Sequence, residues 1–177
     1  MKFSLKTKIV SMAFSAIFAA IIAIVSQVFI VTPIGIPLTF QVFAVAVCGY
    51  VLRAKWGCAS VAVYIILGLS GIPVFSGFKG GIHNLFGLTG GFIIGFLALA
   101  FFCGLGFRKP KMYTKILFGI IGLIICHLCG IVQFSLISNS RFTESAITVS
   151  LPYLIKDIIL VVAAAFISKH LEKYVKV

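Results

Sequence analysis

An acidic side chain inside an apolar stretch is the strongest chemical signal in this sequence. The acidic residues are only three: Glu144, Asp157 and Glu172. Asp157 lies in an otherwise apolar segment, where an ionisable group is costly and is by default a functional candidate. Neighbouring side chains on a helix diverge by about 100°, so we expect Lys156 to be a poor partner for it. Either Asp157 accepts hydrogen bonds from a polar ligand, or it pairs structurally with Lys79 or Arg141.

Four further polar side chains have either a structural or a ligand-binding role. His127 falls in the middle of an apolar stretch, where a lone histidine is typical of a neutral, hydrogen-bonded packing residue. Gln133 lies nearer the end of that stretch and is the better candidate for lining a pocket. His83 and Asn84 belong to a glycine-rich segment, in which they contact either a ligand or the backbone of the segment. We favour a ligand role for Asn84.

Metal, redox and nucleotide chemistry find little support in the sequence. The five cysteines are an odd number and lie in apolar stretches, so no disulfide is assigned. Cys126 and Cys129 have the C-x-x-C spacing, but Gly130 stands where haem attachment requires histidine, and further zinc ligands are not evident nearby. No G-x-x-x-x-G-K-[ST] sequence occurs. We therefore predict no metal, no cofactor and no nucleotide site.

The composition places the chain in a membrane. Of its 177 residues, 62% are hydrophobic and 10% are charged, and the mean hydropathy is +1.24. Soluble domains are about 25% charged, and a chain with 14% aromatic residues is too apolar to stay disordered. The net charge of +12 comes from clusters of lysine and arginine between long uncharged stretches. Such clusters are typical of membrane flanks rather than of a nucleic-acid-binding face.

Long uncharged stretches predict six membrane-spanning helices. Their expected ranges are 9–31, 39–53, 57–71, 90–107, 114–138 and 149–170. Pro33, Gly35 and Pro37 punctuate the turn after the first span, which is too long for a signal peptide and is expected to be retained. An even number of spans puts twelve of the 15 basic residues on the side of both termini, which the positive-inside rule makes cytoplasmic. The outer side carries the other three: Lys79, Arg141 and Lys156.

The predicted outer side also carries a glycine-rich segment, residues 68–91. Its glycines argue against a helix throughout, yet Val74, Phe75 and Phe78 are too apolar for a solvated loop. Irregular backbone at a membrane surface is tolerated where it is buried in protein or lines a cavity. We therefore predict that this segment folds over a pocket as a lid.

Small residues at helical spacing mark surfaces for close packing. The first predicted span has two rows of them: Ser15, Ala19 and Ala23, and beside these Ala16 and Ala20. Such spacing lets another helix approach closely, either within the chain or on a partner membrane protein. Gly91 and Gly95 have the same four-residue spacing, for which we favour helix packing within the chain.

Several short motifs follow one another in a distinctive order along the chain. They are Pro37-Leu38-Thr39-Phe40-Gln41, Gly71-Ile72-Pro73-Val74-Phe75-Ser76-Gly77, Gly80-Gly81, Leu85-Phe86-Gly87-Leu88-Thr89-Gly90-Gly91, Leu151-Pro152-Tyr153 and Asp157. Together they resemble the BioY family, the biotin-specific substrate-binding (S) components of energy-coupling-factor (ECF) transporters. The resemblance extends from residue 9 to residue 172.

The resemblance implies a single integral-membrane substrate-binding domain over residues 1–177, in the plasma membrane of a bacterium. It implies that the chain binds biotin from outside and delivers it across the membrane with a transmembrane coupling subunit and two ATP-binding-cassette ATPases. The family's docking surface for the coupling subunit resembles the first helix here, at Ala16, Ala19, Ala20 and Ala23. The alternatives are an S component for another vitamin and a biotin transporter that works without ATPases. An intramembrane enzyme is not expected, because one buried aspartate does not make a catalytic constellation.

The resemblance also suggests which residues bind the ligand. In related proteins a carboxylate on the last helix binds the ligand, and Asp157 takes the matching place. We expect Asp157 and Asn84 at the ureido ring of biotin. The expected walls are Phe75, Phe78 and Tyr153, and the expected mouth residues are Thr39 and Gln41. Leu88 replaces a family proline, Leu160 a family lysine and Lys156 a small residue, so Lys79, or failing it Lys156, is expected to meet the biotin carboxylate.

Overall fold

The computed structural model describes residues 5–32, 36–107 and 111–175, apart from the side chain of Lys6. Within these ranges the helices are α1 (Leu5–Ser26), α2 (Gln41–Leu69), α3 (Ile82–Leu85), α4 (Gly90–Gly106), α5 (Met112–Ser138), α6 (Phe142–Val149) and α7 (Leu151–Leu171). The strands are β1 (Phe29–Ile30) and β2 (Leu38–Thr39). Several residues of the sequence-based predictions lie outside the described ranges: Lys2, Pro33, Gly35, Arg108, Lys109 and Lys176.

The helices have the length and apolarity that a membrane requires. Four of them are long and apolar enough to cross a bilayer: Thr7–Ser26 within α1, α2, α5 and α7. The apolar α4 has 17 residues, which at 1.5 Å per residue span about 25 Å. Large apolar side chains such as Ile9, Leu136 and Ile155 are exposed on the helix surfaces, as suits a lipid solvent. The fold is that of an all-α membrane protein, as the composition predicts.

One backbone break divides α2. Arg53 has φ 65° and ψ 172°, which are not helical angles, so the element consists of two helical parts, 41–52 and 54–69. The Arg53 guanidinium lies 4.6 Å from the centre of the Phe107 ring, which holds the break against the end of α4. These two parts correspond to the second and third helices that the sequence predicts, at 39–53 and 57–71.

The first predicted helix ends earlier than expected. The sequence predicts helix to residue 31, but α1 ends at Ser26, and Phe29 and Ile30 pair in antiparallel fashion with Thr39 and Leu38. The physical reason is a competing set of partners. The Gln27 side chain donates to the carbonyls of Val74 and Phe75 at 3.2 Å each, so the chain leaves the helix where it meets the glycine-rich segment.

Close helix contacts build the centre of the bundle. Helix α4 packs against both α2 and α5, while α1 packs on α2, and α7 packs on α2 and α5. A Cβ added at Gly95 would lie 2.7 Å from the Cα of Cys126, and one at Gly91 would overlap the Cys129 carbonyl. Both glycines therefore let the backbones of α4 and α5 approach each other. The expected packing role of Gly91 and Gly95 is confirmed.

Candidate ligand-binding site

The three carboxylates have different surroundings, and one of them lines a cavity. Glu144 accepts a hydrogen bond from the backbone N–H of Arg141 and caps the exposed start of α6. Glu172 forms an ion pair with Lys115 at the other end of the bundle. Asp157 is only 4% exposed and lines a cavity between the helices. Asp157 is thus the acid whose environment suits ligand binding.

The cavity has a volume of about 320 Å³, within the range of small-molecule sites. Its lining comes from both parts of α2, from the N-terminal halves of α4 and α7, and from the glycine-rich segment. The residues that line it are Ile36, Pro37, Thr39, Gln41, Val42, Tyr64, Phe75, Ser76, Lys79, His83, Asn84, Gly87, Leu88, Thr89, Phe92, Ile93, Phe96, Val149, Tyr153, Lys156 and Asp157. Apolar walls with a few convergent polar groups are typical of such sites.

Two basic side chains flank the Asp157 carboxylate. The Lys156 ammonium lies 2.7 Å from Asp157 Oδ1, and His127 Nε2 lies 3.3 Å from Oδ2. The expectation that Lys156 and Asp157 are poor partners is wrong, because the long lysine side chain reaches back to the carboxylate. The structural partners considered from sequence, Lys79 and Arg141, do not pair with Asp157. Oδ1 is buried and accepts no hydrogen bond of good geometry from a described residue.

The two lysines of the cavity differ in how they are held. Lys156 is partly buried, and besides contacting Asp157 it donates a hydrogen bond of 2.6 Å to the carbonyl of Thr39. Lys79 is exposed at the rim and forms no ion pair with the described residues. Lys79 therefore has the more available positive charge.

Hydrogen bonds and ring contacts fix the cavity wall. Gln41 is buried and donates to the Tyr64 hydroxyl at 2.8 Å. The Phe75 ring packs edge-on against Tyr64, with the ring centres 5.6 Å apart. The Tyr153 hydroxyl donates to the Ile36 carbonyl at 3.0 Å. The structure thus places Gln41, Phe75 and Tyr153 in the cavity lining. Tyr64 contacts both Gln41 and Phe75, while Ile36 holds Tyr153. Gln41 was expected at the mouth, but its hydrogen bond to Tyr64 buries it in the wall.

A tight turn in the glycine-rich segment contacts the end of α1. Phe75 and Lys79 exchange backbone hydrogen bonds, and Gly77 and Phe78 between them have positive φ angles of 77° and 55°. The Phe78 backbone N–H donates to the Gln27 side-chain oxygen at 2.9 Å. The Phe78 ring is 70% exposed and does not line the cavity. The expectation that Phe78 forms a wall is wrong, because the turn directs its ring outward.

Two amides organise the rest of the segment. Asn84 lines the cavity, and its Nδ2 donates to the Gly80 carbonyl at 2.5 Å. Gln133 donates to the carbonyls of Leu85 and Gly87 at 2.8 and 2.7 Å, outside the cavity. Gln133 therefore attaches the segment to α5 instead of lining the pocket, contrary to expectation.

The cavity also contains residues that sequence reasoning missed. Tyr64, Phe92 and Phe96 belong to apolar helices, where nothing in their type or spacing separates a cavity wall from ordinary core. Ser76 Oγ is buried at the cavity without a hydrogen-bond partner among the described residues. Its position beside Phe75 in the Pro-Val-Phe-Ser-Gly motif was the available signal.

The two small-residue rows of α1 point in different directions. Ala19 is fully buried in the core and Ala23 is partly buried, while Ser15 donates to the Trp56 carbonyl at 3.2 Å. That row packs against α2. Ala16 and Ala20 are exposed. Of the four alanines that the resemblance implies for docking, the chain itself covers Ala19 and part of Ala23 and leaves Ala16 and Ala20 exposed.

The whole architecture matches a solved structure. The structure is described as the S-component for biotin from an ECF-type ABC transporter, and it superposes with a TM-score of 0.88 at 24% sequence identity. The match covers 97% of this chain and 95% of the other. It establishes that the two proteins share a fold.

Sequence comparisons extend the likeness beyond the fold. A probable biotin transporter BioY from Pyrococcus horikoshii is 37% identical over 169 residues, which cover 95% of this chain and 98% of the relative. A biotin transporter BioY from Thermotoga maritima is 39% identical over 162 residues, which cover 90% and 94%. The family model for BioY matches residues 1–177. Its full-length match and these relatives lead to one conclusion: the chain belongs to the BioY family.

Proposed function

We propose that this chain captures biotin in the cavity that Asp157 lines and delivers it for uptake as the S component of an ECF transporter. The observation that carries the proposal is a buried carboxylate in a cavity of about 320 Å³, in a protein whose relatives are named biotin transporters. Those relatives are named transporters, which agrees with the expectation from the sequence that the chain is not an intramembrane enzyme. No cofactor takes part, and biotin is the cargo.

The polar groups of the cavity suit the ureido ring of biotin. That ring presents two N–H donors and one carbonyl. Asp157 accepts from the N–H groups, and Asn84 adds its amide oxygen, since its amide nitrogen already holds Gly80. Ser76 Oγ, which is buried and unpartnered among the described residues, donates to the ureido carbonyl. Phe75 and Tyr153 cover the apolar rings, the buried Gln41 is part of the wall, and Thr39 lies at the mouth.

Lys79 meets the carboxylate of the biotin side chain in this proposal. Lys156 is already engaged with Asp157 and Thr39, whereas Lys79 is exposed at the rim. A charge-assisted bond between an ammonium and a carboxylate is stronger than a neutral hydrogen bond. The rim position also lets the ligand enter with its ureido ring first.

Lys79→Ala is expected to weaken biotin binding about 10-fold, because one charge-assisted hydrogen bond is lost. Binding of biotin amide, which has no side-chain carboxylate charge, is expected to stay the same. Isothermal titration of the purified variants in detergent measures both. Lys156→Ala is the matched comparison. If Lys156→Ala abolishes the preference for biotin over biotin amide and Lys79→Ala leaves it unchanged, then Lys156 and not Lys79 binds the biotin carboxylate.

We further propose six spans, with both termini in the cytoplasm and the cavity facing outward. The parts of α2 on either side of Arg53 then form two spans, and α4 forms another. We place these spans in the plasma membrane of a bacterial cell, as the family resemblance implies. The glycine-rich segment lies over the outward cavity as a lid, held by Gln27 and Gln133. A transmembrane coupling subunit and two ATPases complete the transporter, and Ala16 and Ala20 on α1 contact the coupling subunit.

Equilibrium binding of biotin to the purified chain, with thiamine and riboflavin as competitors, tests the proposed function. We expect one biotin per chain, displaced by biotin analogues and not by the other two vitamins. Displacement by thiamine or riboflavin with no effect of biotin would instead identify an S component for another vitamin. Uptake in cells that lack any coupling subunit would identify a transporter that works alone.

A further inference from the structure

A buried imidazole stands directly behind the proposed ligand-binding carboxylate. His127 on α5 is 4% exposed and is not one of the residues that line the cavity. Its Nε2 lies 3.3 Å from Asp157 Oδ2 on α7. Since His127 does not reach the cavity, any effect on the ligand passes through a neighbour that does, and Asp157 is the charged one of these neighbours.

The orientation of the imidazole is fixed from two sides. Its Nδ1 lies 2.8 Å from Ser150 Oγ, immediately before the first residue of α7. The Phe92 ring packs edge-on against it, with the ring centres 5.7 Å apart and an interplanar angle of 89°. An ionised carboxylate only accepts hydrogen bonds, so Nε2 is the nitrogen that donates toward Asp157. In the neutral imidazole, Nδ1 then accepts from the Ser150 hydroxyl. Hydrogen bonding at one ring nitrogen in this way sets the role of the other.

The Lys156 ammonium competes with the ligand for the Asp157 carboxylate, so a second contact is needed to fix the position of that carboxylate. The Lys156 ammonium contacts Oδ1 at 2.7 Å and is also bonded to the Thr39 carbonyl. If Lys156 were its only partner, the Asp157 carboxylate would be positioned by a long, flexible side chain. His127 provides a contact from the neighbouring helix α5 to the other oxygen, Oδ2. A group held by its neighbours in the geometry that a ligand requires loses less entropy on binding.

We propose that His127, oriented by Ser150, is a positioning residue that holds the Asp157 carboxylate for the biotin ureido group. The inference rests on the proposed function. His127 then contributes to the affinity for biotin, besides its packing role. The middle of α5, through His127, and the start of α7, through Ser150, both contribute to ligand recognition.

Two amide substitutions separate the two contacts of the imidazole. In H127Q the amide nitrogen takes the place of Nε2 and keeps a donor toward Asp157. In H127N the shorter amide reaches only the position of Nδ1. It keeps the contact with Ser150 and loses the contact with Asp157. We expect H127N to weaken biotin binding about 10-fold, as for the loss of a hydrogen bond to a charged group, and H127Q to stay within about 3-fold of the unmodified chain.

The variant D157N, which lacks the charge of Asp157, shows whether the effect of H127N on biotin affinity passes through Asp157. In D157N we expect H127N to cause no further loss of affinity, since coupled residues give non-additive effects. Thermal unfolding without biotin shows that each variant is folded. Equal losses for H127N and H127Q, or an additional loss from H127N in D157N, would overturn the positioning role. If the unmodified chain does not bind biotin, the proposed function fails first and this inference fails with it.

Discussion

Asp157→Asn is expected to lower the affinity for biotin about 100-fold, equivalent to about 2.7 kcal/mol. The substitution keeps the size of the side chain and removes the charge that accepts hydrogen bonds from the ureido N–H groups. It also leaves Lys156 without its ionic partner, which disturbs the same end of the cavity. Isothermal titration of the purified chain in detergent measures the change.

Glu144→Gln is the matched control for this prediction. It removes one negative charge from the same predicted side of the membrane, but Glu144 caps α6 at an exposed position away from the cavity. We expect its affinity for biotin to equal that of the unmodified chain. Unchanged biotin affinity in D157N, with the protein folded, would remove Asp157 from the ligand site and would make its contacts with His127 and Lys156 purely structural.

Ala16→Leu combined with Ala20→Leu is expected to reduce association with the coupling subunit by at least about 10-fold, because added bulk at a close helix contact costs more than about 1 kcal/mol for each side chain. Both residues are exposed on α1, so the chain itself is expected to fold and to bind biotin normally. Co-purification of the coupling subunit from cells, together with uptake of labelled biotin, measures the loss.

The control for the docking prediction adds bulk with the same spacing on another helix. Ile155 and Ile159 are exposed on α7, four residues apart, and replacing both with phenylalanine enlarges a face that we assign to lipid. This variant is expected to retain association and uptake. If the α7 variant loses the coupling subunit and the α1 variant keeps it, the docking surface lies on α7.

Much of the fold was predictable because apolarity and charge act locally along the chain. Uncharged stretches predicted the helices at 90–107 and 114–138 within two residues of α4 and α5. The end of α1 was not predictable in this way, because Gln27 leaves the helix for carbonyl partners 47 and 48 residues away. Two site residues lie elsewhere than the sequence predicts. A tight turn directs Phe78 outward, and Gln133 donates to loop carbonyls 48 and 46 residues away.

The sequence by itself determined that the chain belongs in a membrane and that Asp157 is its unusual acid, because a charged residue in an apolar stretch is costly wherever the chain folds. Its motif order also identified the family, which the comparisons confirmed. Only the tertiary structure decided which groups surround that acid. Lys156, His127 and Ser150 meet around Asp157 because α5 and α7 pack together. Contacts between helices depend on rotation and separation, which hydropathy along one helix does not fix.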